Sequence, residues 1–283
     1  MTSPEYSSPA FATGRRYHPP VELRDFALRV VTSEDLEEKL APPAGGWAGL
    51  TDRRPGPALR LLRPGRPPGL AIVPAWRVKV PALAGMADPT QRARILHALA
   101  NHELQAAELF AWALLAFPEA PGDFRRGLAA ILGDEQRHTR MYAARCEALG
   151  VRFGELPVTG YFWGKVGSIR SPRDFVCAMS LTFENANLDH TADGAAAARR
   201  AGDEKTAAVI ERVHRDEIEH VRFGWRWLGR LRDEGESMWE AYRASLTWPL
   251  RPAKARGASF HREGREAAGL DPEFIRRLEE SEA

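Results

Sequence analysis

The chain is poor in several features that would fix its class at once. Its 283 residues contain two cysteines, Cys146 and Cys177. That is too few for a disulfide framework, so a reducing cytoplasm is the simplest compartment. Charge of one sign is also lacking: 40 Lys+Arg against 38 Asp+Glu leave a formal net charge of +2, without the basic excess of a dedicated nucleic-acid binder. Lysine itself is scarce, limited to Lys39, Lys79, Lys165, Lys205 and Lys254. No run approaches the roughly 20 apolar residues of a bilayer span, which excludes a membrane-spanning helix. Arg15 and Arg16 are followed by no apolar segment, unlike a Sec or twin-arginine signal. Period-two alternation is missing as well, so no sheet is expected.

Apolar residues nevertheless make up 44% of the chain, enough for a sizeable core. Residues 1–20 read as a disordered lead-in. Within 21–89, Leu23, Phe26, Ala27, Val30 and Val31 mark one or two short helices ended by Pro42 and Pro43. A Pro/Gly-dense stretch follows, including Arg63-Pro64-Gly65-Arg66-Pro67-Pro68-Gly69, and is expected to run extended as a wrapping arm. Residues 90–235 carry four long helical patterns: about Gln91–Phe117, Asp123–Leu149, Pro172–Arg200 with Ser171 as N-cap, and a last one from Gly202-Asp203 to about Asp233. In 236–283 the expectation is a short helix near Ser237–Ser245, the basic loop Arg251–Arg256 and a tail helix near Asp271–Glu280. The expected fold class is all-α, a four-helix bundle with N- and C-terminal additions.

Two of these helices carry the same motif, Asp134-Glu135-Gln-Arg-His138 and Asp216-Glu217-Ile-Glu-His220. On a helix, i and i+3 share a face, so each motif presents a carboxylate and an imidazole together. With 25 Glu and 8 His, about 0.7 E-x-x-H matches are expected by chance, but only about 0.03 with a preceding Asp. The third match, Glu211 and His214, points about 120° away from Glu217 and His220 and is assigned to a solvated or outer face. The other two helices each offer a lone glutamate. Glu103 precedes Glu135 by 32 residues and Glu184 precedes Glu217 by 33, so the chain reads as two similar hairpins. Glu108, 27 residues before Glu135, is the rival to Glu103. Glu103, Glu135, His138, Glu184, Glu217 and His220 are therefore the candidate metal ligands. Four carboxylates and two imidazoles suit a pair of divalent ions bridged by carboxylates. Asp134 and Asp216 suit acceptance of the free N–H of a ligand histidine.

Helical spacing puts Leu99, Ala106, Ala107 and Phe110 on the Glu103 face, and Ser180, Leu181 and Leu188 on that of Glu184. Tyr142 lies one turn past His138, and Gly224 one turn past His220 leaves space. These are the candidate pocket residues, with an ordinary bundle core as the competing reading. His102 and His190 point away from the ligand set, and Cys177 reads as a small buried residue.

These motifs, together with Arg63-Pro-Gly-Arg-Pro, Leu96-His-Ala-Leu-Ala-Asn-His-Glu-Leu-Gln-Ala, Glu184-Asn-Ala-Asn-Leu-Asp189 and Asp216-Glu-Ile-Glu-His-Val-Arg-Phe-Gly224, resemble the ferritin-like superfamily. The likeness is greatest to a bacterial ferritin-like family of unknown function, over roughly Val21 to Leu278. The stretch Asn185-Ala186-Asn187 departs from the smaller, glycine-containing sequence expected there. The resemblance implies two iron ions, Fe/Fe or Mn/Fe, and a non-haem oxidoreductase that activates O2 or peroxide to oxidise or hydroxylate a small organic substrate, with an unidentified electron donor. A non-catalytic iron-binding or oxidative-stress protein and a tRNA-modifying hydroxylase are the alternatives. Assembly as a homodimer is left open.

Overall fold

In the computed structural model, residues 21–247 and 249–282 are described; the lead-in assigned to residues 1–20 lies outside them. The pair Val21–Glu22 (β1) leads directly into Leu23–Thr32 (α1), and Leu36–Leu40 (α2) follows. One face of α1 buries Leu23, Phe26, Ala27, Val30 and Val31, the apolar set that marked it in the sequence. From there the chain runs largely without long elements to residue 88. It contains Leu50–Thr51 (β2), which pairs in parallel with β1. This small sheet was not expected, since two residues per strand leave no alternation to read.

Four long helical paths then follow: Pro89–Ala116 (α3), Gly122–Glu147 (α4), Pro172–Ala178 (α5) continuing through a π-helical segment, Met179–Glu184, into Asn185–Arg200 (α6), and Glu204–Leu231 (α7). Three of the four starts are chemically marked. Asp88 accepts from the Gln91 N–H ahead of Pro89, Ser171 and Asp174 form a reciprocal capping box around Pro172, and Asp203 accepts from the Thr206 N–H. Helix α3 packs along α4, α6 along α7, and α4 meets α7. Nearly the whole circumference of α3 is buried, as befits a helix covered by the bundle on one side and by α1 and the arm on the other. Met238–Ala244 (α8), Arg262–Ala267 (α9) and Pro272–Glu279 (α10) complete the chain. Helix α9 went unpredicted because six residues are too few to show a period. None of the described helices is long and apolar enough to cross a membrane.

Two buried charge clusters fasten the additions to the bundle. The arm crosses the end of α1 where the Gly65 N–H donates to Val31 O at 2.9 Å; a Cβ at Gly65 would lie 2.0 Å from Thr32 O, so only glycine fits. The next residue, Arg66, enters the core and grips Glu108 (2.7 Å) and Asn101 (2.7 Å). Lys39 Nζ approaches the same carboxylate at 3.2 Å and the Trp163 indole donates to it at 2.7 Å. Lys39 is fully buried. Burial lowers its pKa, and Glu108 opposes that shift. Glu108, the rival ligand in the sequence, is thus already satisfied by two cations and an indole. At the other end Arg265, fully buried, binds Asp189 bidentately at 2.7 and 2.9 Å. Asp189 also accepts the Gly257 and His261 N–H groups, each at 2.8 Å, and so holds the C-terminal loop on α6.

Removing one member of a buried ion cluster strands the others in low dielectric, at a cost of about 3–5 kcal/mol. Glu108→Ala is therefore expected to lower the urea unfolding midpoint by a loss of that size. A variant within about 1 kcal/mol of the parent would contradict this role for Glu108.

Candidate metal centre

Glu103 on α3, Glu135 and His138 on α4, Glu184 at the end of the π segment, and Glu217 and His220 on α7 all face the bundle interior, and none is more than 4% exposed. They form two overlapping groups. Ligand atoms of Glu103, Glu135, His138 and Glu217 lie within 4.8 Å of one another, and so do those of Glu135, Glu184, Glu217 and His220. The two motif glutamates, Glu135 and Glu217, belong to both groups; Glu103 with His138 and Glu184 with His220 belong to one each. His138 Nδ1 stands 3.6 Å from both Glu103 and Glu135. His220 Nδ1 stands 3.1 Å from Glu135, 3.5 Å from Glu217 and 3.8 Å from Glu184.

Proximity here does not amount to bonding. Both oxygens of Glu135 and Glu184, one oxygen of Glu217, and Nδ1 of His138 and His220 are buried without a hydrogen-bond partner. Buried polar atoms are normally paired, and unpaired buried charges cost several kcal/mol. Burial and the neighbouring Glu135 push Glu103 well above the usual carboxylate range. Burial does the same to Glu184, and it raises Glu217 as well. Burial also acts upward on Glu135, but His138 and His220 outweigh it and hold that carboxyl below its ordinary value. Both imidazoles are driven well above theirs, against burial, by the carboxylates around them. Four acids and two imidazoles whose donor atoms converge unpaired are the donor set that divalent cations satisfy. Two such ions would carry the charge that balances four carboxylates.

The far side of each imidazole is anchored crosswise. His138 Nε2 faces Asp216 at 3.1 Å and His220 Nε2 faces Asp134 at 3.3 Å, so each Asp serves the histidine of the other motif. An Nε2–H donated to Asp leaves Nδ1 as the lone-pair side turned toward the glutamates. Arg137 ties the crossing together, 2.7 Å from Asp134 and 2.9 Å from Asp216, and Arg212 adds a second contact to Asp216 at 3.0 Å. On the interior side Asn187 Nδ2 donates to Glu217 Oε1 at 3.0 Å. Spacing alone does not show the crossing, Arg137 or Asn187, although Arg137 lies inside the first motif and Asn187 in the stretch that departs from the family pattern. Glu211 pairs with Arg199 and His214 Nδ1 with Thr191 Oγ1, away from the cluster. Cys177 is buried, its thiol pushed up to about 12.

A cavity of about 300 Å³ opens onto the glutamates. Glu103, Glu135, Glu184 and Glu217 line it together with Ala106 and an aromatic wall in which Phe162 stacks on Phe183 at 4.5 Å and Tyr161 meets Phe183 at 5.7 Å. His102 and His190 border it too; desolvation holds the His102 pKa down at about 4. The expected pocket residues Leu99, Ala107, Phe110, Tyr142, Ser180, Leu181, Leu188 and Gly224 are not part of this lining. Most of them are core. Phe110 packs on Phe175 at 5.3 Å with its ring 6.5 Å from His220, and the Tyr142 hydroxyl is buried without a partner. Gly224 leaves no space: a Cβ there would come within 2.3 Å of Ser180 Cβ, so it permits close approach of α7 to the π segment. Residues a turn from each glutamate share its inward direction, whereas the cavity is bordered by His102 on α3, Phe183 within the π segment and Asn187 beyond it. The wider i→i+5 turn there displaces the 3.6-residue register.

Because Gln is nearly isosteric with Glu and carries no charge to bury, Glu184→Gln is expected not to lower the stability of chelator-treated protein. In the parent, an added divalent ion at about 100 times its Kd should raise stability by about 2.7 kcal/mol, a gain the variant largely loses. Thermal melts with and without Mn(II) read both effects; an equal gain in the variant would refute Glu184 as a metal contact.

No curated protein and no solved structure matches the chain. The family model described as "Protein of unknown function (DUF455)" matches residues 28–276, nearly the full length, and the chain belongs to that family.

Proposed function

We propose that the chain is a ferritin-like di-metal oxidoreductase, binding Fe/Fe or Mn/Fe, that activates O2 or peroxide to oxidise or hydroxylate a small organic molecule. The observation that carries this reading is the pair of buried ligand groups that share Glu135 and Glu217 and open onto a cavity. On this reading Glu103 and His138 would help hold one ion and Glu184 and His220 the other, with Glu135 and Glu217 available to either because they belong to both groups. Bound there, the metals supply the electrons and Lewis acidity for oxygen activation.

The chain's own residues do the rest. The Asp216–His138 and Asp134–His220 contacts, braced by Arg137, fix the tautomer and angle of each imidazole. Asn187 restrains Glu217 on the cavity side, leaving the other oxygen of that carboxylate without a partner. Phe110 and Phe175 keep the side of His220 apolar, and Tyr161, Phe162 and Phe183 offer an apolar surface to an organic molecule. At about 300 Å³ the cavity is at the small end of ligand pockets, which supports a small substrate.

Anaerobic loading with Fe(II), followed by elemental analysis and then admission of air, tests the reading. About two irons per chain are expected, with O2 uptake on exposure to air. Metal binding that survives the combined Glu135→Ala and His220→Ala changes would sink the assignment.

A further inference from the structure

At its outer end the cavity is bordered by Lys254 and Arg256, from the basic loop whose purpose the sequence left unread. Lys254 is exposed and Arg256 half-buried, whereas the four glutamates at the inner end are buried. The lining therefore combines three chemistries: buried acidic groups, an aromatic wall, and two cations that the more exposed positions place on the solvent side. Neither cation is spent on a carboxylate among the described residues. Arg256 donates one guanidinium nitrogen, Nη1, to the Glu279 backbone carbonyl and lies over Phe260, which leaves its other donors for a ligand.

The loop is also built to hold the pair in place. Ala255, between the two cations, is buried, and its carbonyl accepts from Arg265 at 3.0 Å. Arg265 is the guanidinium locked on Asp189, and Asp189 in turn accepts the Gly257 N–H. A fully buried ion pair between α6 and α9 thus fixes the backbone on either side of Arg256. Solvated surface cations need no such anchor; a recognition site does.

We infer that Lys254 and Arg256 form an anion-recognition site, and that the molecule taken by the cavity is a small organic oxyacid, its carboxylate or phosphate head at the mouth and its apolar body along Tyr161, Phe162 and Phe183 toward the glutamates. This deepens the proposed function and rests on its reading of the cavity as the substrate site. A planar guanidinium beside an ammonium suits an oxyanion through charge-assisted hydrogen bonds. Ala106, Met179 and Ala186 add apolar lining for the body of such a molecule. The orientation follows from where the cations lie: with metal balancing the four carboxylates the inner end carries no net charge, whereas an anion beside Lys254 and Arg256 meets two cations and keeps part of its hydration.

Titration calorimetry on the full chain, loaded anaerobically with Fe(II), tests this with three probes of similar shape: 3-phenylpropionate, 2-phenylethyl phosphate and neutral 3-phenylpropanamide. At least one anion is expected to bind at least tenfold more tightly than the amide, about 1.4 kcal/mol; which anion it is distinguishes an organic acid from a phosphate ester. Lys254→Gln combined with Arg256→Gln should erase that preference without changing amide binding or iron content. Since Arg256 also bonds the tail, Lys254→Gln alone, at an exposed position, should weaken the anion several-fold, and Lys254→Arg should restore it. Equal binding of amide and anions, an unchanged preference in the double variant, or no anion binding would overturn the inference. Two irons per chain with no anion preference would defeat this inference alone. Anion preference in a chain that binds no iron would defeat the metal reading alone.

Discussion

Four carboxylates brought into one apolar interior impose the constraint around which this structure is arranged. Each of Glu103, Glu135, Glu184 and Glu217 comes from a different helical path, so the bundle cannot close without bringing them together. Like charges in low dielectric repel strongly. The protein tempers this with two imidazoles on the inside and two aspartates behind them, and Arg137 joins the aspartates into one bracket. The crossing of that bracket, each Asp on the other motif's histidine, also ties α4 to α7. The same contacts that orient the imidazoles therefore hold together the two hairpins that contribute them.

The rest of the core provides an internal comparison. Glu108 and Asp189 are as deeply buried as the cluster glutamates, yet each is answered by the protein's own donors: Lys39, Arg66 and Trp163 for one, Arg265 and two backbone N–H groups for the other. This chain thus satisfies a buried carboxylate where it needs only structure. At Glu135 and Glu184 it leaves both oxygens without a hydrogen-bond partner, with no guanidinium or ammonium brought in among the described residues. The difference between the two kinds of buried acid argues for a cation partner from outside the chain better than the acid count does, because burial is common to both.

Much of this was legible in the sequence because helices translate spacing into direction. Two D-E-x-x-H motifs and lone glutamates 32 and 33 residues upstream sufficed to nominate all six residues that the structure brings together, and the separation argument that preferred Glu103 to Glu108 agrees with Glu108 standing in a different cluster. The helix starts read from the sequence fall within about two residues of the observed ones. What spacing could not carry was anything set by packing between helices. The crossing of Asp134 and Asp216 depends on how α4 lies against α7. The π segment leaves no periodic trace, yet it carries Glu184 and shifts which residues face the cavity. Arg66 sat in a Pro/Gly arm that looked like surface, and only the fold reveals that Gly65 lets the arm pass close enough to α1 for that guanidinium to reach Glu108.

The C-terminal additions gain a reason from the same geometry. Glu184 and Asp189 lie five residues apart on one helical path, one turned into the ligand cluster and the other anchoring the loop at the cavity mouth. Any shift of α6 along its axis would move both, so the depth of the cavity, from the glutamates to Lys254 and Arg256, is set by a single rigid element rather than by a free loop. On the proposed reading, a fixed separation between the inner acids and the outer cations would select by length, placing one reach of apolar body beside the cluster and leaving shorter or longer molecules with one end unsatisfied. The tail that encloses the bundle is in that sense part of the cavity's measure, and the buried Arg265–Asp189 pair is what makes the measure rigid.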